Sequence, residues 1–222
     1  MIETRSLRYQ YAGGPLLVFS DVEVPQGATL LLRGDSGAGK STWLALVAGL
    51  LTPSAGQVVV TGQALAQLSR AARDCWRART LGFLPQKLHL SEALTVERNL
   101  ALAFYAAGVP EDRRAIHGAL DRLGVAELAG RLPSQLSGGQ AQRVALARSI
   151  LMNPRVILAD EPTASLDDDA ALTGLRLLED CAFHCNATLV IATHDRRVRE
   201  ALPGAMVYAI GQPAASERST TA

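Results

Sequence analysis

The sequence is short of the residues that would send it to several common classes. Aromatic residues make up only 5% of its 222 residues, too few for a base-stacking surface. Neither sign of charge is in excess: 22 basic and 21 acidic residues give a formal net charge of +1. Bulk attraction to nucleic acid or to an anionic membrane is therefore not expected. Cysteine is sparse and odd in number, with Cys75, Cys181 and Cys185, which reads as reduced thiols in a cytosolic setting. Cys181, His184 and Cys185 fall at i, i+3 and i+4 and could share a helix face, as metal ligands lacking a fourth partner or as plain helix packing. No long apolar run is present near the first motif. Trp43–Leu51 holds Gly49 and is brief, whereas a membrane span needs about 20 residues. Met1–Arg5 has no signal-peptide apolar core. If this protein works at a membrane, another chain is expected to supply the span.

What is present suits a packed domain. The chain is 48% hydrophobic and 19% charged, enough apolar residues for one substantial core, with room for a subdomain. One stretch organises the rest: Gly34-Asp35-Ser36-Gly37-Ala38-Gly39-Lys40-Ser41-Thr42 fits G-x-x-x-x-G-K-[ST]. The apolar run Ala28–Leu32 precedes it as a buried strand. Leu44, Val47, Ala48 and Leu51 follow at i, i+3, i+4 and i+7, a helical spacing. Strand, glycine-rich turn and helix is the setting this phosphate-binding loop requires. Glycines let main-chain N–H groups close on a polyphosphate, and the helix N-terminus adds partial positive charge. Lys40 can reach terminal phosphates and the Ser41 hydroxyl can sit on Mg²⁺.

Along the chain, Leu7, Tyr9 and Tyr11 alternate as in a half-buried strand, Ala12–Pro15 is a turn, and Leu16–Val24 reads as a second strand. Thr52-Pro53 is expected to end the first helix. Gln57–Thr61 reads as a short strand and Leu65–Arg79 as a helix with Arg70, Arg73 and Arg77 on one face. Those arginines suit a solvated face, or phosphate or partner docking. Leu81–Pro85 is a strand leading to Gln86. From Lys87 to about Leu151 the pattern turns helical and rich in alanine and leucine, as in an insertion into an α/β core. Strands resume at Val156–Asp160, Thr188–Thr193 and Ala205–Ile210, with a helix from Asp168 to about Phe183. That alternation implies a largely parallel sheet. The division expected is a core of about 1–86 and 152–210, an α-helical insertion of about 87–151, and a frayed tail over 211–222.

A second candidate phosphate reader stands at Leu136-Ser137-Gly138-Gly139-Gln140. Ser137 is a good N-cap, and two glycines expose N–H groups at a helix start; a plain glycine-rich turn would look similar. These five residues match the signature motif of the ABC (ATP-binding cassette) ATPases, and the chain resembles that family over nearly its whole length, with the motifs in the family's order. The resemblance implies a P-loop NTPase, RecA-like α/β core with an N-terminal antiparallel β subdomain and an inserted α-helical subdomain. It implies ATP and Mg²⁺ as ligands and ATP hydrolysis as the activity.

Site residues follow from the same resemblance. Gly34 to Thr42 would cradle the phosphates. Arg155–Glu161 resembles the Walker B strand, with Asp160 on Mg²⁺ and Glu161 orienting or deprotonating the attacking water. Gln86 fits the loop that contacts Mg²⁺ or water, so Ser41, Gln86 and Asp160 form the expected metal set. His194 resembles the switch histidine that contacts the γ-phosphate and positions Glu161. Ala164–Asp167 resembles the segment whose Asp167 signals across a dimer interface. Tyr11, just before Ala12-Gly13-Gly14, fits the aromatic that stacks on adenine better than Tyr9 does. Ser137, Gly138, Gly139 and Gln140 would cover the ATP of a second ATPase subunit, in a homodimer first of all, or in a heterodimer with a similar chain. An integral membrane permease is the implied partner, docking in the groove from Gln86 to about Leu100, where Leu88, Leu90 and Leu94 are candidate contacts or packing residues. The setting would be peripheral, on the cytoplasmic face of the inner membrane, with no nucleic acid involved.

Leu158-Ala159-Asp160-Glu161-Pro162-Thr163 and Leu81-Gly82-Phe83 resemble the lipoprotein-releasing, macrolide-export and FtsE-like branch. That group usually has Gly-Asn where this chain has Ala164-Ser165, and Pro85 before Gln86 is atypical of it. The short stretch after His194 is expected to leave no room for the regulatory domain of several importers. Importer ATPases and soluble ABC ATPases acting on DNA or ribosomes are the alternatives; a GTPase is disfavoured by the lack of an N-K-x-D motif.

Overall fold

The computed structural model describes residues 1–164 and 166–211; the expected tail, save Gly211, and Ser165 lie outside the described residues. The described residues form two sheets. The first is antiparallel and built on β1 (Ile2–Gln10), which pairs with β2 (Leu16–Val18), β3 (Val22–Val24) and β5 (Ala55–Val60), with β6 (Gln63–Ala64) beyond β5. The second runs β10-β4-β9-β8-β7 and every pairing in it is parallel, from β4 (Thr29–Arg33), β7 (Leu81–Leu84), β8 (Val156–Asp160), β9 (Thr188–Ala192) and β10 (Met206–Ala209). Parallel strands covered on both faces read as continuous apolar runs, and all five residues of β9 are buried.

Alternation along these strands divides the core in two. Leu31, Ile157, Ala159, Leu189 and Ile191 face one cluster, while Leu30, Leu32, Val156, Leu158, Val190 and Ala192 face the other. The first is closed by α3 (Val96–Ala107), α4 (Arg113–Arg122), α5 (Gly138–Ile150) and α6 (Asp168–His184), through Leu100, Phe104, Ile116, Leu120, Val144 and Leu178. The second holds α1 (Lys40–Val47) and the antiparallel sheet, through Trp43, Val47, Ile2 and Val60. Helix α5 lies hard against β7: a Cβ added at Gly82 would stand 2.3 Å from the Ser149 carbonyl oxygen.

Several elements end where the sequence pattern does not. Leu16–Val24 breaks at Phe19-Ser20-Asp21, because Phe19 turns into the core, its N–H bonds the Leu7 carbonyl, and Tyr208 donates its hydroxyl to Ser20 O. In β1 the register with β5 shifts between Arg5 and Arg8, and Ser6 has φ +47. This bulge moves the inward set from Ile2 and Thr4 to the buried Leu7 and the half-buried Tyr9. Helix α1 stops at Val47, with Gly49 at φ +66 behind it, well before Thr52-Pro53. Leu65–Arg79 is a 3-10 turn (Leu65–Gln67) followed by α2 (Arg70–Thr80), since Ser69 caps the helix by accepting from Ala72 N–H. On α2, Arg73 bonds the Thr52 hydroxyl and Leu68 carbonyl, and Arg77 pairs with Asp74.

Between β7 and β8 the chain leaves the sheet, forms α3 to α5, and returns. Asn99, fully buried, pins the start of this excursion. Its Nδ2 donates to the carbonyls of Ser91, Leu94 and Thr95, and its Oδ1 accepts from Ser91 N–H at 2.7 Å. Leu88 and Leu90 pack against the core, and Arg148 holds the carbonyls of Leu88 and His89. Cys181 and Cys185 are buried in α6 and its cap, where burial pushes the Cys181 thiol up to about 11. His184 Nδ1 is instead 2.8 Å from the Asp180 carbonyl. Asn99→Leu keeps the volume but orphans four main-chain partners, so it is expected to cost about 1–3 kcal/mol or more, read as a lowered urea midpoint with an unchanged slope.

Candidate functional site

The loop from Gly34 to Gly39 leaves the end of β4 and enters α1. It can do so because Gly37 and Gly39 adopt φ of +82 and +104, left-handed values that side chains resist. Gly39 caps α1 with no side-chain acceptor, and no acidic residue occupies the first turn. The helix N-terminus therefore offers its N–H groups and its positive end to an anion. Lys40, almost fully buried, folds back over its own loop. Its Nζ donates to the carbonyls of Gly34 (2.8 Å) and Asp35 (3.2 Å) and lies 3.7 Å from Glu161 Oε1.

A cavity of about 270 Å³ opens here, lined by Ser36, Gly37, Gly39, Lys40, Ser41, Thr42, Gln86, Asp160, Glu161 and His194. Four parallel strand ends deliver these groups. Burial raises the Asp160 carboxyl above the ordinary range; the Ser41 hydroxyl donating to it opposes the rise, and the neighbouring Glu161 charge adds to it. Asp160 carboxylate, Ser41 hydroxyl and Gln86 amide are all hard oxygen donors at one wall. That set suits Mg²⁺ held by one carboxylate and completed by substrate oxygens. Among the described residues no group of three His, Cys, Asp or Glu side chains forms a metal cage.

Glu161 sits at φ +49, strained for a glutamate, with its N–H on the Ala192 carbonyl. Its two oxygens are separately held. Oε1 meets His194 Nδ1 at 2.7 Å, and Oε2 accepts the Thr193 hydroxyl at 3.0 Å. The His194 ring is 72% exposed while the Glu161 side chain is 10% exposed, so the imidazole stands between the carboxylate and solvent. Next to it, Asp195 accepts from the Thr163 hydroxyl at 2.7 Å and caps α7 (Arg196–Ala201). The Arg197 guanidinium, first, and the Thr163 hydroxyl hold its carboxyl down to about 2, against burial.

Tyr11 lies just past β1, 48% exposed, with its hydroxyl 3.2 Å from Thr42 Oγ1. Tyr9 packs edge-on against it, ring centroids 4.8 Å apart, and is itself half-buried. Ser137 starts α5 through a capping box: its Oγ accepts from Gln140 N–H, and Gln140 Oε1 accepts from Ser137 N–H. A Cβ on Gly138 or Gly139 would meet nothing within 4 Å, so these helix-end amides are open to a visitor. None of Ser137 to Gln140 lines the Lys40 cavity. Gly138 borders a separate cavity of about 190 Å³ shared with Leu84, Gln86, Glu161 and Pro162. Asp167 is exposed and caps α6 by accepting from Ala170 N–H at 2.8 Å.

Lys40, Ser41, Gln86, Asp160, Glu161 and His194 thus come together, while Ser137–Gln140 and Asp167 stand apart. Thr193, Thr163, Asp195, Arg197 and Gln142 were not singled out by sequence. An aspartate just ahead of a short charged helix is an N-cap signal that would have found Asp195.

The family described as ABC transporter matches residues 19–164. The methionine import ATP-binding protein MetN of Caulobacter vibrioides is 39% identical over 195 residues, 87% of this chain and 58% of that protein. The lipoprotein-releasing system ATP-binding protein LolD of Xylella fastidiosa is 38% identical over 209 residues, 91% of this chain and 87% of that one. The macrolide export ATP-binding/permease protein MacB 1/2 of Paracoccus denitrificans is 35% identical over 99% of this chain, which spans 34% of its length. A dimeric, post-hydrolysis ATP-binding cassette bound to ADP and Pi superposes with a TM-score of 0.83 at 27% identity, covering 96% of this chain and 97% of that one.

The raised Asp160 carboxyl yields a prediction for the nucleotide-free protein. A carboxyl pushed up on folding destabilises above its folded pKa and stops doing so once protonated. Asp160→Asn is expected to raise Tm near neutral pH, with the gain shrinking as pH falls through the carboxylate range, and to remove Mg²⁺-dependent nucleotide turnover. A Tm unchanged or lowered at neutral pH would contradict the burial argument.

Proposed function

The chain belongs to the ABC transporter family, and from that premise we propose that it is an ATP-hydrolysing subunit that closes on a second cassette and drives a separate membrane permease. The observation that carries the reading is the tethered Glu161, fixed by His194 and Thr193 at the wall of the cavity that holds Lys40 and Asp160. A carboxylate so oriented can draw a proton from water aligned with a γ-phosphate. Lys40 exchanges its loop carbonyls and Glu161 for phosphate oxygens, and the loop N–H groups and the α1 N-terminus take the remaining charge. Mg²⁺, when bound, would neutralise charge between phosphate oxygens, and Ser41, Asp160 and Gln86 are the residues to hold it. Tyr11 offers the exposed ring beside Thr42 for adenine.

The site lacks one wall. Ser137–Gly139 present open amides but do not line the Lys40 cavity, and Gly138 borders a different one. In this reading they cover the ATP of a second copy, while that copy's Ser137–Gly139 cover this one. ATP then favours the closed pair and hydrolysis releases it, because only the closed state uses both phosphate readers. The permease would dock along Gln86 to about Leu100, with Leu94 and the exposed side of that stretch as contacts, since Leu88 and Leu90 face inward. Among the described residues no helix is long and apolar enough to cross a membrane; peripheral attachment at the cytoplasmic face follows from the permease. Residues 158–163 and 81–83 favour the lipoprotein-releasing and macrolide-export type of work. The 39% identity to a methionine importer ATPase favours import as the second reading, and the permease that co-purifies from solubilised membranes separates the two.

Glu161→Gln is expected to bind ATP, cut turnover by roughly 10²–10⁴, and accumulate as a dimer in ATP by light scattering. Turnover close to that of the unaltered protein would remove Glu161 as the base; a monomer in saturating ATP would remove the shared site.

A further inference from the structure

Arg197 spends all three guanidinium nitrogens on two separate segments. Nε donates to Asp195 Oδ1 and Oδ2 at 3.1 and 3.0 Å, and Nη2 to Oδ2 at 2.8 Å. Nη1 reaches the other way, to the Leu166 carbonyl at 3.2 Å and to Asp168 Oδ1 at 2.7 Å. Asp195 is held at the same time by Thr163 Oγ1, and its N–H donates to Thr193 Oγ1 at 3.0 Å. The Thr193 hydroxyl in turn donates to Glu161. One unbroken polar path therefore runs from Glu161 through Thr193, Asp195 and Arg197 to the main chain at Leu166, beside the α6 cap.

We propose that Arg197 is a positioning residue that ties the Leu166–Asp168 segment to the loop bearing His194, so that occupation of the phosphate site moves both as one body. The inference rests on the proposed ATP site and adds to it the route by which this chain relays the state of its nucleotide to its dimer-facing segment. The chemistry is specific to arginine. A planar fork can grip a carboxylate with two nitrogens and still present a third to a carbonyl; an ammonium supplies the charge without that geometry. The arm to Asp168 is the weak one, because that carboxylate side chain is 85% exposed and exposed pairs contribute little. The arms to Asp195 and to Leu166 O carry the coupling.

Arg197→Lys in the full chain tests this. ATP affinity is measured by titration, and hydrogen exchange of the peptide covering 166–170 is measured with and without MgATP. The expected result is ATP affinity within about threefold of the parent, loss of the ATP-dependent change in exchange, and kcat lowered by roughly tenfold to a hundredfold with KM little altered. An unaltered exchange response overturns the proposal, whether or not Tm falls, since a purely structural clamp would lower stability and leave the response in place. Asp168→Asn is expected to keep the response; a loss there equal to that of Arg197→Lys overturns the assignment of the coupling arms. The affinity and exchange readings are made at protein dilutions where light scattering shows single chains. A monomeric Glu161→Gln protein in ATP would therefore sink the shared site while leaving this coupling measurable.

Discussion

Every group at the site depends on parallel strands ending level with one another. Register sets Leu32 beside Ala192, Asp160 beside the same Ala192, and Ala159 beside Leu84. One residue past that row come Arg33, Thr193 and Glu161, with Pro85 level with Asp160, and the chain then departs as the phosphate loop, the His194 loop, the Glu161 turn and the Gln86 segment. Ligands in open α/β sheets collect at this edge because that is where loops from neighbouring strands converge. A one-residue slip in β8 would turn Asp160 to the other face and withdraw the pair of carboxylates from the loop.

Within that frame, the site satisfies its own charges. Lys40 would be costly to bury alone, and it is answered by two loop carbonyls and Glu161. Asp160 has the Ser41 hydroxyl, and Glu161 has Thr193 and His194. The contacts of Lys40 are ones that phosphate oxygens can replace, and the contact of Asp160 is one that a cation can replace. In the proposed reading, protein oxygens around Lys40 stand where substrate oxygens would come.

Much of this was legible in the sequence, and the reason is locality. The phosphate loop, Asp160-Glu161, Gln86 and His194 each follow an apolar strand within a few residues, so pattern together with the family resemblance placed them at one edge. Element ends were less legible. Phe19 broke a strand because of a pocket built by distant residues, and Gly49 ended α1 earlier than the nearby proline suggested. The Ser6 bulge exchanged the faces of β1 midway. Least legible were Gln142, whose Nε2 donates to Pro162 O at 2.6 Å, and Arg197. Both bind carbonyl oxygens far away in the chain, and a carbonyl leaves no trace in side-chain pattern. The place of Ser137–Gln140 relative to Lys40 was likewise a question of how α5 sits on the sheet, which spacing does not record.

That seat has a mechanical meaning. Where α5 crosses β7, the two main chains touch at Gly82 and Ser149 with no layer of side chains between them. A side-chain layer can shear by changing rotamers, and thus absorb small displacements; bare backbone has no such slack. The joint behaves as a bearing without play. A rotation of α5 about that point would press directly on β7 and so on Gln86, two residues past its end.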